Sequence, residues 1–356
     1  MDNASKEQVA APDDVRSAYP LRTERLVLRP VRAADIDPIT AYRNDPEVSA
    51  LQDWDLPYPR ERAEALVADH ADRLDVEPGR PMQLGIEREG ELVGDVYVGL
   101  DGDGGVAEVG FTLARAHQGR GYAVEAVAAV VDDLVDRLGV HRVFAQLAPQ
   151  NLPSARVLER VGVLAESLAP RSFRWRGTWD DNLVYAMSAE DRRAWRDRPL
   201  AAPLDVRLVP ITNETYLAYA ALRTHRSQER FVATVSQSYA DALFPEHELG
   251  RPLVPVLFGV EADGEPAGFL MYAATHDARP ELFLWRLLVD RRHQGRGIGR
   301  RALDTFVSVA RSEGCPGVMV GWVPGRGGPE GFYLAAGFVR TGEIHDGEVV
   351  ARLPLP

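Results

Sequence analysis

At 356 residues, with 45% hydrophobic and 26% charged residues, the chain is long enough for two domains that each bury a core. A formal net charge of −12 argues against general nucleic-acid binding, which needs basic surface to neutralise phosphates, and it favours a small cationic partner. The single cysteine, Cys315, excludes an intramolecular disulfide and a cysteine-based metal cluster, and no apolar run approaches the roughly 18 residues that span a bilayer, so a soluble, cytoplasmic chain without metal or membrane partner is expected.

Residues 1–19 are polar, lack apolar periodicity and contain Pro12-Asp13-Asp14, which predicts a disordered arm. Glu24 to Arg29 alternates like a strand, and Ala33 to Asn44 follows as a helix that stops before Pro46. Gln83 to Glu87, a turn at Glu89-Gly90 and Leu92 to Leu100 read as a hairpin, with Ala107 to Leu113 as a further strand. The helix predicted from about Gly121 to Leu138 carries Val124, Val127, Val131, Leu134 and Leu138 as one core-facing stripe. A strand at Arg142 to Leu147, a loop at Asn151, a helix from Ser154 to Arg160 and a strand region from Arg174 to Met187 complete residues 20–189.

Residues 190–204 read as a helix end plus linker, after which residues 205–356 repeat the order. Val206 to Val209 answers Leu26 to Leu28, and the Phe258 to Glu265 segment answers Leu84 to Glu91. Leu282 to Val289 answers Ala107 to Leu113. A helix from Gly297 to Ala310, a strand at Val318 to Val323, a helix at Glu330 to Ala336 and a strand at Glu348 to Leu353 finish the set. Two related α+β domains follow.

The repeat is sharpest at His117-Gln118-Gly119-Arg120-Gly121, which recurs letter for letter as His293-Gln294-Gly295-Arg296-Gly297. Each copy follows an apolar strand and opens an amphipathic helix. Small residues let the backbone approach a ligand, and a helix N-terminus aims free amides and positive dipole at an anion, so a phosphate-bearing cofactor is the natural ligand. His117 and His293 have no second metal ligand at helical or hairpin spacing and read as polar loop residues.

Extended to Gln118-Gly119-Arg120-Gly121-Tyr122-Ala123 and Gln294-Gly295-Arg296-Gly297-Ile298-Gly299, and set between a strand and a long helix, the motif resembles the acetyl-CoA-binding core of the GCN5-related N-acetyltransferase (GNAT) superfamily. The resemblance implies tandem α+β domains, each a mixed central sheet flanked by helices and splayed between its fourth and fifth strands. It implies acetyl-CoA held by those motif residues and by Phe111, Leu113, Leu287 and Val289 on the preceding strands, with Asn151 on the pantetheine arm. The first half is similar to acetyltransferases of ribosomal-protein N-termini, through Arg22-Thr23-Glu24-Arg25-Leu26 and the Asn151 to Glu159 run. The second is similar to bacterial diamine or spermidine acetyltransferases, through Gln228-Glu229-Arg230-Phe231 and Gly347-Glu348-Val349-Val350-Ala351.

Acetyl transfer to an amine needs a deprotonated nucleophile, a polarised thioester and a protonated leaving thiolate. The resemblance places Tyr333 as general acid for the thiolate, while the equivalent position of the first half is Leu158, leaving Ser154, a water or nothing there. Glu108 is the expected proton relay of the first half and Glu281 a weaker candidate in the second. Glu229, Glu246 and Glu248 are candidates for holding a polycation. The expectation is an acetyl-CoA-dependent N-acetyltransferase of a small polyamine or amino-sugar, with the C-terminal domain as main catalyst, in a monomer with pseudo-twofold tandem domains or a homodimer. The alternatives are a protein N-terminal or side-chain acetyltransferase, and an N-terminal domain that only binds acetyl-CoA or serves structure.

Overall fold

In the computed structural model, which describes residues 19–175, 177–245, 247–248, 251–276 and 280–356, the chain divides into two units, Met1–Ala194 and Trp195–Pro356. In chain order the N-terminal unit builds β1 (Leu21–Arg22), β2 (Val27–Pro30), α1 (Ile36–Arg43), α2 (Pro46–Ser49), α3 (Arg60–His70), β3 (Met82–Arg88), β4 (Glu91–Leu100) and β5 (Val106–Leu113). Then come α4 (Tyr122–Asp136), β6 (Arg142–Leu147), α5 (Leu152–Val161), β7 (Leu164–Trp175) and β8 (Thr178–Ser188), with α6 (Ala189–Asp197) following. Residues 1–18 of the expected arm lie outside the described residues. Tyr19 does not belong to such an arm, because its ring is buried and its hydroxyl donates to Asp133 at 3.3 Å.

The strands form one mixed sheet in the order β1-β2-β3-β4-β5-β6-β8-β7. Among the described strands of this sheet only β5 and β6 run parallel, and they pair over Val106–Glu108 and Arg142–Phe144 alone, so Val109–Leu113 and Ala145–Leu147 diverge. This is the predicted splay, displaced to β5 and β6 because the two-residue β1 precedes the strands read from sequence. The stripe on α4 packs the core, with Val127, Val131 and Leu134 fully buried and Val124 and Leu138 half-buried. The strand expected at Arg174 to Met187 is β8 in the main, one arm of a longer hairpin whose other arm, β7, is mostly exposed and gives little alternation to read.

The C-terminal unit builds β9 (Val206–Pro210), α7 (Tyr216–Ala220), α8 (Val235–Leu243), the short pair β10 (His247–Glu248) and β11 (Arg251–Pro252), β12 (Pro255–Ala262), β13 (Glu265–Ala274) and β14 (Leu282–Val289). It ends with α9 (Ile298–Ser312), β15 (Gly317–Trp322), α10 (Glu330–Ala335), β16 (Val339–His345) and β17 (Glu348–Pro354). Its sheet order is β16-β17-β15-β14-β13-β12-β9, and again the one parallel pair is short, Leu282–Leu284 against Val318–Val320. Phe306, Ala302 and Leu303 of α9 bury against this sheet. Among the described residues no helix is long and apolar enough to cross a membrane.

Candidate functional site

A cavity lies at each splay, and the C-terminal one takes a residue of its glycine motif, Gln294, into its wall. In the N-terminal unit it measures about 390 Å³, and its wall includes Asp53, Tyr97, Glu108, Phe111, Gln146 and Asn182. In the C-terminal unit it measures about 250 Å³ and is lined by Gln228, Phe231, Trp285, Leu287, Val289, Gln294, Gly321 and Tyr333, among others. The first wall is rich in carboxylates. The second carries no charged side chain among its described lining residues.

The two turns have the same geometry. Gly119 and Gly121 sit at φ +75° and +83°, Gly295 and Gly297 both at +79°, the left-handed region that side-chain-bearing residues avoid. No side chain caps α4 or α9, whose first amides therefore have no intrahelical partner and face outward. A Cβ built on Gly119, Gly295 or Gly297 meets nothing within 4 Å, so the approach to these amides is open. A pyrophosphate fits such a turn.

The motif glutamines hold this shape. Gln118 Nε2 donates to the carbonyl of Leu113 at 3.1 Å, and Gln294 Nε2 to that of Val289 at 3.0 Å, tying each turn to the end of its preceding strand. Gln294 also exchanges hydrogen bonds with Gln228 at 2.9 and 3.2 Å. These side chains position the turn.

Comparison with known proteins agrees with this geometry. Residues 25–163 match the family described as acetyltransferase (GNAT) domain, and residues 215–338 match the description acetyltransferase (GNAT) family. The chain is 30% identical over 153 residues to "Uncharacterized N-acetyltransferase p20" of Bacillus licheniformis, covering 42% of this chain and 84% of that protein. The chain belongs to the GNAT acetyltransferases. It is also 40% identical over 85 residues to "Probable N-acetyltransferase YjcK" of Bacillus subtilis, covering 24% of this chain and spanning about half, 47%, of that relative. Among solved structures, Mycobacterium smegmatis RimJ in complex with CoA-disulfide is 28% identical, covering 47% of this chain and 83% of its own, at a TM-score of 0.40. GNAT acetyltransferases take their acetyl group from acetyl-CoA.

In this GNAT frame, Tyr333 lies on α10 at the wall of the C-terminal cavity. It is 7% exposed, stacks on Trp322 with ring centroids 5.7 Å apart, and meets Phe332 and Phe338 edge-on. Burial pushes its hydroxyl far above the usual phenol range, with the Glu348 charge adding to the effect, so the proton stays on at any ordinary pH. Among the described residues that hydroxyl has no hydrogen-bond partner. Leu158, at the corresponding position of α5, is a core residue at 1% exposure. Ser154 is outside the N-terminal cavity wall, and its amide donates to the capping Asn151 Oδ1 at 3.2 Å. Asn151 thus spends its carbonyl oxygen as the N-cap of α5.

Glu108 does face the N-terminal cavity, where Gln146 Nε2 donates to it at 3.1 Å. Beside it the Tyr97 hydroxyl is raised first by burial, then by the charges of Glu108 and Asp53. Glu281 is not brought to the site: at the opposite end of β14 both its oxygens are held by Arg352. Glu229 pairs with Arg226 at 2.6 Å and lies outside the cavity wall. Glu246 lies outside the described residues, and Glu248 is described only as part of β10.

The arginines of the two motif copies part company. Arg120 is exposed, and its carbonyl accepts from Arg25 at 3.0 Å. Arg296 is buried, donating to the Ala201 carbonyl and to Nδ1 of His293 in its own motif, each at 2.7 Å. Its expected contact with cofactor reduces to its backbone amide. Tyr122 and Ile298 are buried, so they too contribute backbone. What sequence reasoning missed are Tyr97, Gln146, Asn182 and Asp180 in the N-terminal wall and Phe231 and Trp285 in the C-terminal one. They come together only through strand pairing between distant segments, for which a single sequence offers no signal.

Proposed function

We propose that the chain is an acetyl-CoA-dependent N-acetyltransferase that acetylates the primary amine of a small molecule, with the C-terminal unit as its main catalyst. Acetyl-CoA, when bound, supplies an activated acetyl thioester. The glycine-turn amides of Gly119–Ala123 and Gly295–Gly299 suit its pyrophosphate. The observation that carries the reading is Tyr333: a protonated, unpaired hydroxyl on a rigid buried ring, at the wall of the cavity that adjoins the glycine turn. Such a group can deliver a proton to a departing thiolate.

A small cationic amine, of the polyamine or amino-sugar class, is supported by the net charge of −12; the carboxylates Asp53, Glu108 and Asp180 would receive such an amine in the N-terminal wall, whereas the C-terminal wall carries none among its described lining residues. Leu158 favours a second reading for that unit, in which it binds acetyl-CoA without turning it over.

The test is Tyr333→Phe in the full chain, assayed by thiol release. It should lower kcat by about 10²–10⁴-fold and leave acetyl-CoA affinity nearly unchanged. Full activity in that variant, with loss of activity in Glu108→Gln, would assign the chemistry to the N-terminal unit.

A further inference from the structure

The strand registers allow the two sites to be laid over one another. In the N-terminal unit Glu108 of β5 pairs with Phe144 of β6, and two residues along, Gln146 pairs with Val184 of β8. Asn182 is two residues before Val184. In the C-terminal unit Phe283 of β14 pairs with Met319 of β15, and two residues along, Gly321 pairs with Val350 of β17. Glu348 is two residues before Val350. Glu108, Gln146 and Asn182 therefore correspond in register to Phe283, Gly321 and Glu348.

In the first unit these three positions form one polar chain facing the cavity. Asn182 Nδ2 donates to Gln146 Oε1 at 2.5 Å, and Gln146 Nε2 donates to Glu108 at 3.1 Å. In the second unit the central-strand position has become a phenylalanine, and the carboxylate stands on the last strand instead. Gly321, which lines the cavity, makes room for it: a Cβ at that position would collide with Glu348 Oε2. Glu348 is not itself a lining residue of that cavity, and its charge is felt at the Tyr333 hydroxyl, which is. Glu281, the carboxylate expected as base in this unit, is committed to Arg352.

We propose that Glu348 is the proton-accepting carboxylate of the C-terminal site, supplied from β17 where the N-terminal unit supplies Glu108 from β5. This rests on the reading of that unit as an N-acetyltransferase with Tyr333 as its acid. The amine nitrogen forms the new C–N bond as the thioester C–S bond breaks with its electron pair on sulfur. The proton leaving nitrogen passes to Glu348 through water, and the Tyr333 hydroxyl gives its proton to the thiolate. Both groups return to their starting state by exchange with bulk water, so one amine and one thioester become one amide and one thiol. The titratable groups beside Glu348 include His345, its register partner on β16, Asp346 in the intervening turn, and Tyr333 on α10.

The experiment uses the full chain carrying Gly121→Glu, so that only the C-terminal turn takes acetyl-CoA, with spermidine and benzylamine as acceptors. Thiol release is followed against pH, and acetyl-CoA binding by calorimetry. Glu348→Gln should remove the enzyme's share of the ascending acidic limb of kcat/KM, leaving the limb set by the amine's own titration, and lower the neutral-pH rate about 10²-fold, with acetyl-CoA binding intact. Gly321→Ala, which displaces the carboxylate without removing it, should lower the rate in the same direction, and Glu348→Asp should retain the limb. Tyr333→Phe should lower kcat and keep the limb. An unchanged rate and limb in Glu348→Gln overturns the inference alone; if that variant no longer binds acetyl-CoA, an unchanged rate in Gly321→Ala overturns it. Full turnover in Tyr333→Phe, or no thiol release with either amine before any change at Glu348, removes the underlying reading as well.

Discussion

Arg352 grips Glu281 from the neighbouring end of the last strand. Its Nε donates to both carboxylate oxygens at 3.0 Å and its Nη2 to Oε1 at 2.5 Å, while Nη2 also reaches the Pro316 carbonyl at 3.0 Å. A carboxylate so paired is held in place by the guanidinium, and this one sits where β14 and β15 are still paired, away from the open end of the splay. Its work is to join β17 to the start of β14.

Glu281→Gln should therefore leave kcat and KM within about twofold of the parent while lowering stability. The guanidinium is partly exposed, so screening limits the loss to about 1 kcal/mol or less. That corresponds to a melting shift of roughly 2–4 °C for a unit of this size. A strong fall in kcat with an unchanged melting point would return Glu281 to the list of candidate bases.

The same residue shows what the sequence can and cannot convey. Glu281 and Glu108 were legible only as acids near the start of a strand that precedes a glycine turn. Which of them reaches the cavity is decided by the partner strand: Gln146 meets Glu108, whereas Arg352, more than seventy positions away, captures Glu281. The glycine turns, the stripes of α4 and α9 and the order of strands were readable because each is local and periodic. Helices α3 and α8 were not, because their apolar residues form no sustained buried stripe; in α3 only Ala63, Val67 and His70 are buried, and in α8 only Val235 and Ser238. Those segments supply Asp53 and Trp54 to one cavity and Phe231 and Val232 to the other, which is why the acceptor side was the least legible part of the site.

His70 links the N-terminal wall to pH. It is 4% exposed, with Nδ1 2.7 Å from the Leu66 carbonyl and Nε2 2.7 Å from the backbone N–H of Gln83. The Leu66 carbonyl can only accept and the Gln83 amide can only donate, so the ring is neutral with its proton on Nδ1. Burial, with Arg73 nearby, holds its pKa below the ordinary value. The folded state thus binds a proton less readily than the unfolded one, and stability is fully present above the unfolded pKa of about 6.5 and lost as pH falls below it. Gln83 Nε2 in turn donates to Asp95 at 2.6 Å, which holds Arg43 at the cavity wall. Melting of the N-terminal unit should therefore fall between pH 7 and 5, and His70→Gln should flatten that dependence. An equally steep decline in the variant would assign it to other groups.

Two intact glycine turns predict two acetyl-CoA molecules per chain. Both turns hold their glycines in the left-handed region, both leave the first helical amides uncapped, and both are tied down by the same glutamine-to-strand hydrogen bond. Gly121→Glu or Gly297→Glu forces a side chain into that backbone region, costing roughly 1–2 kcal/mol in strain, and sets a carboxylate beside the amides that would receive the pyrophosphate. Each substitution should remove one site and leave the other, because the turns share no residue. Calorimetry should give a stoichiometry near two for the parent chain, near one for each variant and none for the double variant. A parent stoichiometry near one, abolished by only one of the two substitutions, would identify the other turn as a structural relic. Of the two, the C-terminal turn has the neutral wall and the buried Arg296, so its affinity should depend less on ionic strength than that of the N-terminal turn, where Arg25 lies within 3.4 Å of the position a Cβ on Gly121 would take.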